Sequence, residues 1–270
     1  MPDFASFELF GLGIRIESPS EDLWKLLSWR LPPIELVDRS TWDRRYAVER
    51  EPADGSLLVH MDRRKVVRAA DNPAAAQLIA TDLERFLARR AEGLVFVHAG
   101  AVAWKGRAIL MPGRSGSGKS ELVAALLREG AELLSDELAV IDVQGLVHPY
   151  ARPLALRRGG TEHVEPERLG ARRARSASPA ALLAFLRYAP GSRWDPAPLP
   201  RGEALLGLLG FSLAGRRRFD LVRRVLHPLA ASVPALGGSR GQAAEAAREL
   251  LAVVDRTLGA ERTNQADRAG

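Results

Sequence analysis

The chain has 270 residues, of which 46% are hydrophobic and 27% charged, and its formal net charge is +6. That length allows one large domain, or a main domain with a smaller one attached. The absence of cysteine excludes disulfides, zinc–thiolate sites and a cysteine nucleophile. No apolar run reaches the ~20 residues needed to span a bilayer, and the N-terminal segment lacks a signal-peptide pattern, so we expect a cytoplasmic protein with no membrane partner.

Arginine carries nearly all of the positive charge, and some of it lies in runs such as Arg172–Arg173 and Arg216–Arg218. Such runs are more typical of a solvated surface than of a binding site. A nucleic-acid-binding protein would combine them with a docking element or with interleaved aromatic side chains. The sequence shows neither, and we expect no nucleic-acid partner.

Residues 1–90 are expected to form a small α+β accessory region. FELFGLGIRIE and SLLVHMDRRKVVRA have the apolar patterns of short strands, with turn chemistry at Asp54-Gly55. Between them, EDLWKLLSWRL has helical spacing and stops at Pro32-Pro33. NPAAAQLIATDLERFLARRAEG places its apolar residues on one face, which predicts an amphipathic helix.

The α/β fold class follows from the next elements, which begin a main domain over residues 91–260. LVFVHAGAVAW predicts a strand, either continuous or bent at Gly100, and RAILMPG predicts the next one. A glycine-rich loop leads into the helix ELVAALLREG, which Gly130 closes. AELLSDE and the strand LAVIDVQG follow. This strand–loop–helix–strand order builds α/β nucleotide-binding cores.

The C-terminal part is expected to be mainly helical. SPAALLAFLRYAPG and RGEALLGLLGF have short helical patterns, and the proline-rich SRWDPAPLPRG between them should be irregular. RRFDLVRRVL fits a strand or a helix. GQAAEAARELLAVVDRTLG predicts an amphipathic helix, followed by a disordered tail over 261–270.

A phosphate-binding loop is predicted in MPGRSGSGKSEL, between a strand and a helix. It satisfies the pattern G-x-x-x-x-G-K-[ST], whose backbone N–H groups turn inward on a phosphate at the positive end of the helix. Lysine reaches the β and γ phosphates, and serine supplies a hydroxyl to Mg²⁺. The expected ATP-binding residues are Gly113, Arg114, Ser115, Gly116, Ser117, Gly118, Lys119, Ser120 and Glu121.

A nucleotide-bound Mg²⁺ usually also needs a carboxylate at the end of a strand. One candidate is Asp142, which follows the apolar run LAVI and could equally begin the turn before Gly145. The other is the pair Asp136-Glu137 in ELLSDE. The local pattern favours Asp142.

The run GRSGSGKSELVAALLREGAELLSDELAVI resembles the HPr kinase/phosphorylase family. In that family the phosphate loop, the GKSE sequence, a short helix and a paired acid motif follow one another at this spacing, with Asp136 seventeen residues after Lys119. FVHAGA, over residues 96–101, looks like the family's upstream histidine strand. The resemblance covers roughly residues 95–143 and implies a P-loop core of the PEP-carboxykinase-like type.

The resemblance also implies site roles. Asp136 and Glu137 would take the roles of the acid pair, which binds Mg²⁺ together with Ser120 and acts as general base toward a serine hydroxyl. His98 would lie near the transferred phosphoryl group, and Lys119 would complete the catalytic set. HPr kinases assemble as hexamers, so the resemblance is compatible with a homo-oligomer.

Two departures from the family pattern shape the expected substrate. Glu137 stands where the family usually has a second Asp, and PYARPLALRRGGTEHVEPERLG replaces the Gly-rich signature that handles HPr. The chain therefore looks more like the HPr kinase-related proteins of peptide-modification pathways, some of which phosphorylate a serine of a lasso-peptide precursor. Candidate substrate or phosphate contacts are Arg152, Arg157 and Arg158, which fit a surface role equally well.

The sequence is compatible with three functions. The first is an ATP- and Mg²⁺-dependent serine kinase acting on a protein or peptide. The second is a non-catalytic ATP-binding module that regulates or scaffolds a peptide-modification complex. The third is a kinase for a small molecule such as free serine or a sugar. The intact set of Lys119, Ser120 and Asp136 favours phosphoryl transfer over simple binding.

Overall fold

The structure is a computed structural model that describes residues 4–17, 20–62, 65–157 and 159–269, with only the backbone described over 260–269. The chain folds into two compact units, Met1–Glu92 and Gly93–Gly270, and the boundary lies two residues beyond the expected position. Both units mix α-helices and β-strands, in agreement with the expected fold class. None of the helices in the described ranges combines the length and apolarity that crossing a bilayer requires.

The N-terminal unit is a five-stranded sheet with two helices. Its elements in chain order are β1 (Phe4–Leu9), β2 (Leu12–Glu17), α1 (Glu21–Ser28), β3 (Arg44–Arg50), β4 (Leu57–Met61), β5 (Lys65–Ala69) and α2 (Asn72–Arg90). The strands lie in sequence order, and all neighbours are antiparallel except β2 and β3. The sequence patterns predicted both helices and every strand except β3. Charged residues interrupt the apolar alternation of β3, which left no clear strand signal.

The C-terminal unit contains the remaining elements. They are β6 (Val95–Trp104), β7 (Arg107–Pro112), α3 (Lys119–Arg128), β8 (Glu132–Ser135), β9 (Leu138–Ile141), β10 (Leu146–His148), β11 (Leu154–Arg157), β12 (Thr161–Val164), a 3₁₀ turn (Pro166–Leu169), β13 (Ser178–Tyr188), β14 (Asp195–Pro198), α4 (Arg201–Phe211), α5 (Phe219–Ser232), β15 (Ala235–Arg240) and α6 (Ala243–Ala269).

A mixed eight-stranded sheet organises this unit, in the order β10-β9-β6-β7-β13-β15-β14, with β8 paired to β6. The strands β7, β13 and β15 run parallel to one another. Both β7 and β8 are antiparallel to β6, so β8 points the same way as those three strands. The carboxyl ends of β7, β8, β13 and β15 therefore meet at one edge of the sheet, the edge where open α/β sheets bind ligands.

Helices cover both faces of the sheet. One apolar core packs α3 and α6 against residues such as Val102, Ile109 and Leu182. The other packs α4 and α5 against residues of the opposite face, such as Ala101 and Leu110. The helices expected from RGEALLGLLGF and GQAAEAARELLAVVDRTLG are present as α4 and α6, and they pack on opposite faces of the sheet.

Two expectations for the C-terminal part were wrong. SPAALLAFLRYAPG forms β13 rather than a helix, because this segment pairs with β7 on one side and β15 on the other, and that pairing outweighs the helical propensity of alanine and leucine. The proline-rich segment, expected to be irregular, contains the short edge strand β14, a position where proline is tolerated. RRFDLVRRVL, for which either structure was open, belongs to α5.

The helix α6 also differs from its expected extent. Its backbone is helical as far as Ala269, across most of the segment 261–270 for which a disordered tail was expected. Residues 261–269 contain neither glycine nor proline, so nothing in the local sequence ends the helix before that point.

Gly100 lies within the continuous strand β6, which has no break at this residue. A Cβ atom at Gly100 would approach Cγ2 of Val123, in the buried centre of α3, to 2.8 Å. Close packing of β6 against α3 therefore explains the glycine. This contact brings the start of α3 near the strand that carries His98.

We expect Gly100→Ala to lower the free energy of unfolding by about 1–3 kcal/mol, because the added methyl group overpacks the contact with Val123. Chemical denaturation measures the change. The double variant Gly100→Ala with Val123→Ala should recover part of the loss, and Gly202→Ala, where a Cβ meets open space, should cause none. Equal stability of wild type and Gly100→Ala would contradict the packing argument.

Candidate functional site

A cavity of about 540 Å³ lies at the sheet edge where the parallel strand ends meet, and the glycine-rich loop, His98, Asp136, Glu137, Arg157, Tyr188 and Arg240 are among its lining residues. This volume suits a ligand of drug or nucleotide size. The sequence singled out most of this lining. Tyr188, Arg240 and Gln242 are among the lining residues that it missed.

The glycine-rich loop, residues 113–118, joins β7 to α3. Gly116 and Gly118 have φ values of 82° and 84°, in the left-handed region that glycine adopts without strain. Gly118 is also the residue that precedes α3, and no side chain caps this helix end. The first N–H groups of α3 therefore lack intrahelical partners, which together with the helix dipole favours an anion at this end.

Lys119 begins α3, and its ammonium lies against the loop. Its Nζ donates to the carbonyl oxygens of Gly113, at 2.8 Å, and Arg114, at 2.7 Å. Burial lowers the pKa of Lys119, and the nearby negative charge of Asp136 opposes that shift. The Lys119 ammonium is thus held close to both the glycine-rich loop and Asp136.

The acids Asp136 and Glu137 occupy the tight turn between β8 and β9. The Ser135 hydroxyl oxygen, at the end of β8, accepts from the N–H of Glu137 at 3.3 Å and of Leu138 at 3.0 Å. Both β8 and β9 pair with β6, so this turn is fixed beside the strand that carries His98.

Asp136 is a buried carboxylate, 6% exposed. Its Oδ2 accepts from the N–H of Ala155 at 3.4 Å, whereas its Oδ1 is buried without a hydrogen-bond partner. Burial raises the pKa of Asp136 to about 6, against the opposing effects of Ser120, Arg152, the Ala155 N–H and Lys119. An unpartnered buried oxygen calls for a proton or a cation, and carboxylate oxygens are what Mg²⁺ prefers.

Glu137 differs from Asp136 because it has a cationic partner. Its Oε2 forms a salt bridge with the guanidinium of Arg152, which is largely buried, while the Glu137 side chain is 44% exposed. The adjacent acids are therefore chemically distinct: one is exposed and paired with arginine, and the other is buried with one oxygen unsatisfied.

His98 contacts this turn through its ring. Its Nδ1 lies 3.0 Å from the carbonyl oxygen of Glu137. A carbonyl oxygen only accepts, so Nδ1 carries the hydrogen and the lone pair of the neutral ring is on Nε2. Burial, with the charges of Lys119 and Arg152, lowers the pKa of His98 to about 4. His98 is therefore a neutral hydrogen-bond acceptor at physiological pH.

Arg152 and Arg157, two of the three arginines considered as substrate or phosphate contacts, have different surroundings. Arg152 pairs with Glu137, and Arg157 extends toward the loop, with its NH2 atom 3.5 Å from Oγ of Ser115. Arg158 lies outside the described residues. Arg157 belongs to the hairpin of β11 and β12, which pairs over four residues on each strand and forms one side of the cavity.

Asp142, the competing metal ligand, has a different environment. Its Oδ1 accepts from the N–H groups of Gln144 and Leu146, and its Oδ2 lies 2.8 Å from Nε2 of His148. These contacts close the turn between β9 and β10. The carboxylate does not line the cavity, and the alternative that Asp142 begins a turn agrees with this geometry.

Arg240 is the main cavity residue that the sequence patterns missed. It is 2% exposed and ends β15, and its NH2 atom donates to the carbonyl oxygen of Gly118 at 2.6 Å. Burial lowers the pKa of Arg240, and the negative charge of Glu121 opposes this shift. The segment ALGGSR gives little strand signal because two glycines interrupt it, so its position could not be inferred.

No group of three or more His, Asp or Glu side chains is placed to hold a metal ion among the residues that the structure describes. This is compatible with the way Mg²⁺ is often bound, through one or two carboxylates together with the phosphates of a nucleotide.

Comparison with known proteins gives no family assignment. No family model matches the chain, and no curated protein matches it.

The ring of His98 should remain neutral, with hydrogen on Nδ1, from pH 8 down to about pH 5. We expect NMR titration of its ring nitrogens to give a pKa near 4, well below the ordinary 6.5. Lys119→Ala should raise this pKa because a nearby positive charge is lost, whereas Lys105→Ala, at an exposed position in the turn beyond the far end of β6, should not change it. A pKa near 6.5 in the wild type would contradict the described environment.

The buried charge of Asp136 should make the protein less stable as the pH rises. Its pKa is 3.8 in its ordinary state and about 6 when folded, so between these values the folded state binds the additional proton. The wild-type free energy of unfolding therefore loses roughly 2–3 kcal/mol from this group between pH 4 and pH 6.

Asp136→Asn removes that titration. Denaturant unfolding at a series of pH values should show the variant gaining stability relative to the wild type between pH 4 and pH 6, with a constant difference above pH 7. Asp22→Asn, at an exposed position of α1, serves as the control. A difference between Asp136→Asn and wild type that does not depend on pH would show that Asp136 is not strongly desolvated.

Proposed function

We propose that this protein is an ATP- and Mg²⁺-dependent serine kinase that transfers the γ-phosphate to a serine hydroxyl of a protein or peptide. The observation that carries the proposal is the buried Asp136, with an unsatisfied oxygen, beside Lys119 and Ser120 at the start of α3. We further propose that the glycine-rich loop is a P-loop and that the fold belongs to the PEP-carboxykinase-like, HPr kinase-related type. We also propose a cytoplasmic location.

The triphosphate is proposed to bind at the glycine-rich loop. The free N–H groups at the start of α3 face this region, and the left-handed Gly116 and Gly118 give the loop its shape. Lys119, bonded to loop carbonyls at 2.7 and 2.8 Å, exchanges one of these contacts for a phosphate oxygen. The N-terminus of α3 and the Lys119 ammonium are both positive, and each would stabilise the negative charge that develops on the phosphates during transfer.

The cation site would be formed by Ser120 and Asp136, with Glu137 beside them. The fit rests on the Oδ1 atom of Asp136, which is buried and lacks a hydrogen-bond partner. When bound, Mg²⁺ would supply charge neutralisation at the phosphates. The Ser120 side chain hydrogen-bonds to the Asp136 carboxylate, so the hydroxyl and the carboxylate are adjacent.

Asp136 is proposed as the general base as well as a metal ligand. A general base must lie within hydrogen-bond reach of the proton that it accepts, and Asp136 lines the cavity beside Lys119 and Ser120. Glu137 is less suited to accept the proton because Arg152 stabilises its charged form. His98 presents the acceptor Nε2, which would accept a hydrogen bond from a backbone N–H of the peptide substrate, while the single proton of the serine hydroxyl goes to Asp136.

Phosphoryl transfer can be tested directly. The protein is incubated with γ-labelled ATP, Mg²⁺ and each small peptide encoded beside its gene, and label on a peptide serine is the expected result. Lys119→Ala should abolish labelling because the loop loses its phosphate cation. Asp136→Asn should lower the rate by about 100-fold or more, in line with the loss of a general base. Lys25→Ala and Asp22→Asn, both exposed in α1, should leave the rate unchanged.

The same assay separates the competing functions. Tight ATP binding without transfer to any acceptor would overturn the kinase proposal and favour a non-catalytic nucleotide-binding module. Label on free serine or on a sugar, with none on peptides, would instead identify a small-molecule kinase.

A further inference from the structure

The strand order places the acid turn and Tyr188 on opposite sides of β7, the strand that leads into the glycine-rich loop. The acid turn follows β8, which lies beyond β6 on one side of β7. Tyr188 and Arg240 end β13 and β15, which lie on the other side of β7. The loop itself continues from β7, so it separates an acidic side from a side that carries an aromatic ring.

On the aromatic side of the cavity, Tyr188 and Arg240 contact the glycine-rich loop directly. Tyr188 and Arg240 are paired neighbours in the register of β13 and β15, and the Arg240 guanidinium lies 5.3 Å from the centre of the Tyr188 ring. The N–H of Tyr188 donates to the carbonyl oxygen of Ser117 at 3.2 Å, and Arg240 donates to that of Gly118 at 2.6 Å. Two consecutive loop residues are therefore bonded to this pair.

The Tyr188 ring remains accessible although its backbone and one neighbour hold it in place. Tyr188 is 43% exposed and lines the cavity. An aromatic ring that is held in place loses little freedom when a flat ligand stacks on it. Gln242, just beyond Arg240, also lines the cavity and is exposed. Its amide has both donors and an acceptor, as the polar edge of a nucleobase does.

We propose that Tyr188 and Gln242 form the nucleoside subsite of the cavity, in which a nucleobase stacks on the Tyr188 ring and its polar edge contacts the Gln242 amide. This inference rests on the proposed function, because it takes the triphosphate to lie on the loop with its γ end toward Asp136. The nucleoside then leaves the loop on the other side of β7, where Tyr188 and Gln242 lie. Arg240 is a positioning residue, since its guanidinium holds both the Tyr188 ring and the Gly118 carbonyl.

Binding measurements with two ligands test the subsite. Isothermal titration calorimetry in the presence of Mg²⁺ compares ATP with inorganic tripolyphosphate, which has the phosphates but no nucleoside. The wild type should bind ATP more tightly than tripolyphosphate. Tyr188→Ala should weaken ATP binding by on the order of tenfold or more, the usual effect of losing one stacked base, and should leave tripolyphosphate binding unchanged.

Matched variants separate stacking from damage to the loop. Tyr188→Phe keeps the ring and should retain ATP affinity, and Phe219→Ala, which removes an exposed aromatic ring of α5 outside the cavity lining, should have no effect. Gln242→Ala should bring the affinities for ATP and GTP closer together, because it removes the group proposed to read the base edge.

The outcomes distinguish this inference from the proposed function. Equal wild-type affinity for ATP and tripolyphosphate, or unchanged ATP affinity in Tyr188→Ala, would overturn the nucleoside subsite and leave the phosphate site intact. A parallel loss of both ligands in Tyr188→Ala would assign the residue to loop structure alone, which also overturns the subsite. Failure of the wild type to bind either ligand would overturn the proposed function and the subsite together.

Discussion

The burial of one carboxylate, Asp136, is the constraint on which the candidate site depends. A buried negative charge is costly unless cations and hydrogen-bond donors surround it. Here Lys119, Ser120, Arg152 and the Ala155 N–H supply that environment, yet they leave one carboxylate oxygen unsatisfied and the pKa raised. The elements that hold these groups are the start of α3, the β8–β9 turn, and β11 with the segment that precedes it, so their positions are linked through this one side chain.

The central strand β6 makes that convergence possible. It pairs with β7, β8 and β9, and the loop after β7 and the turn between β8 and β9 lie near each other as a result. His98 on β6 bonds to the backbone of that turn, and Gly113 at the start of the loop donates to the carbonyl oxygen of His98 at 3.3 Å. The absence of a side chain at Gly100 lets α3 pack closely on the same strand.

The two adjacent acids differ in their surroundings. The proposed HPr kinase-like function treats Asp136 and Glu137 as a pair and does not divide their roles. The structure gives them unequal surroundings, since Arg152 neutralises Glu137 while Asp136 is buried. The side chain of Glu137 reaches the guanidinium of Arg152 while it remains 44% exposed, whereas Asp136 is enclosed.

The sequence by itself determined the local features: the glycine-rich loop between a strand and a helix, the amphipathic helices, and the candidates His98, Lys119, Ser120 and Asp136. These depend on short-range spacing and on the backbone freedom of glycine, which neighbouring residues reveal. Only the tertiary structure decided that Asp142 closes a turn, that β13 is a strand, and that Tyr188 and Arg240 border the cavity. Each of these depends on pairing or packing with residues distant in the chain, and such long-range contacts leave no periodic pattern in the sequence.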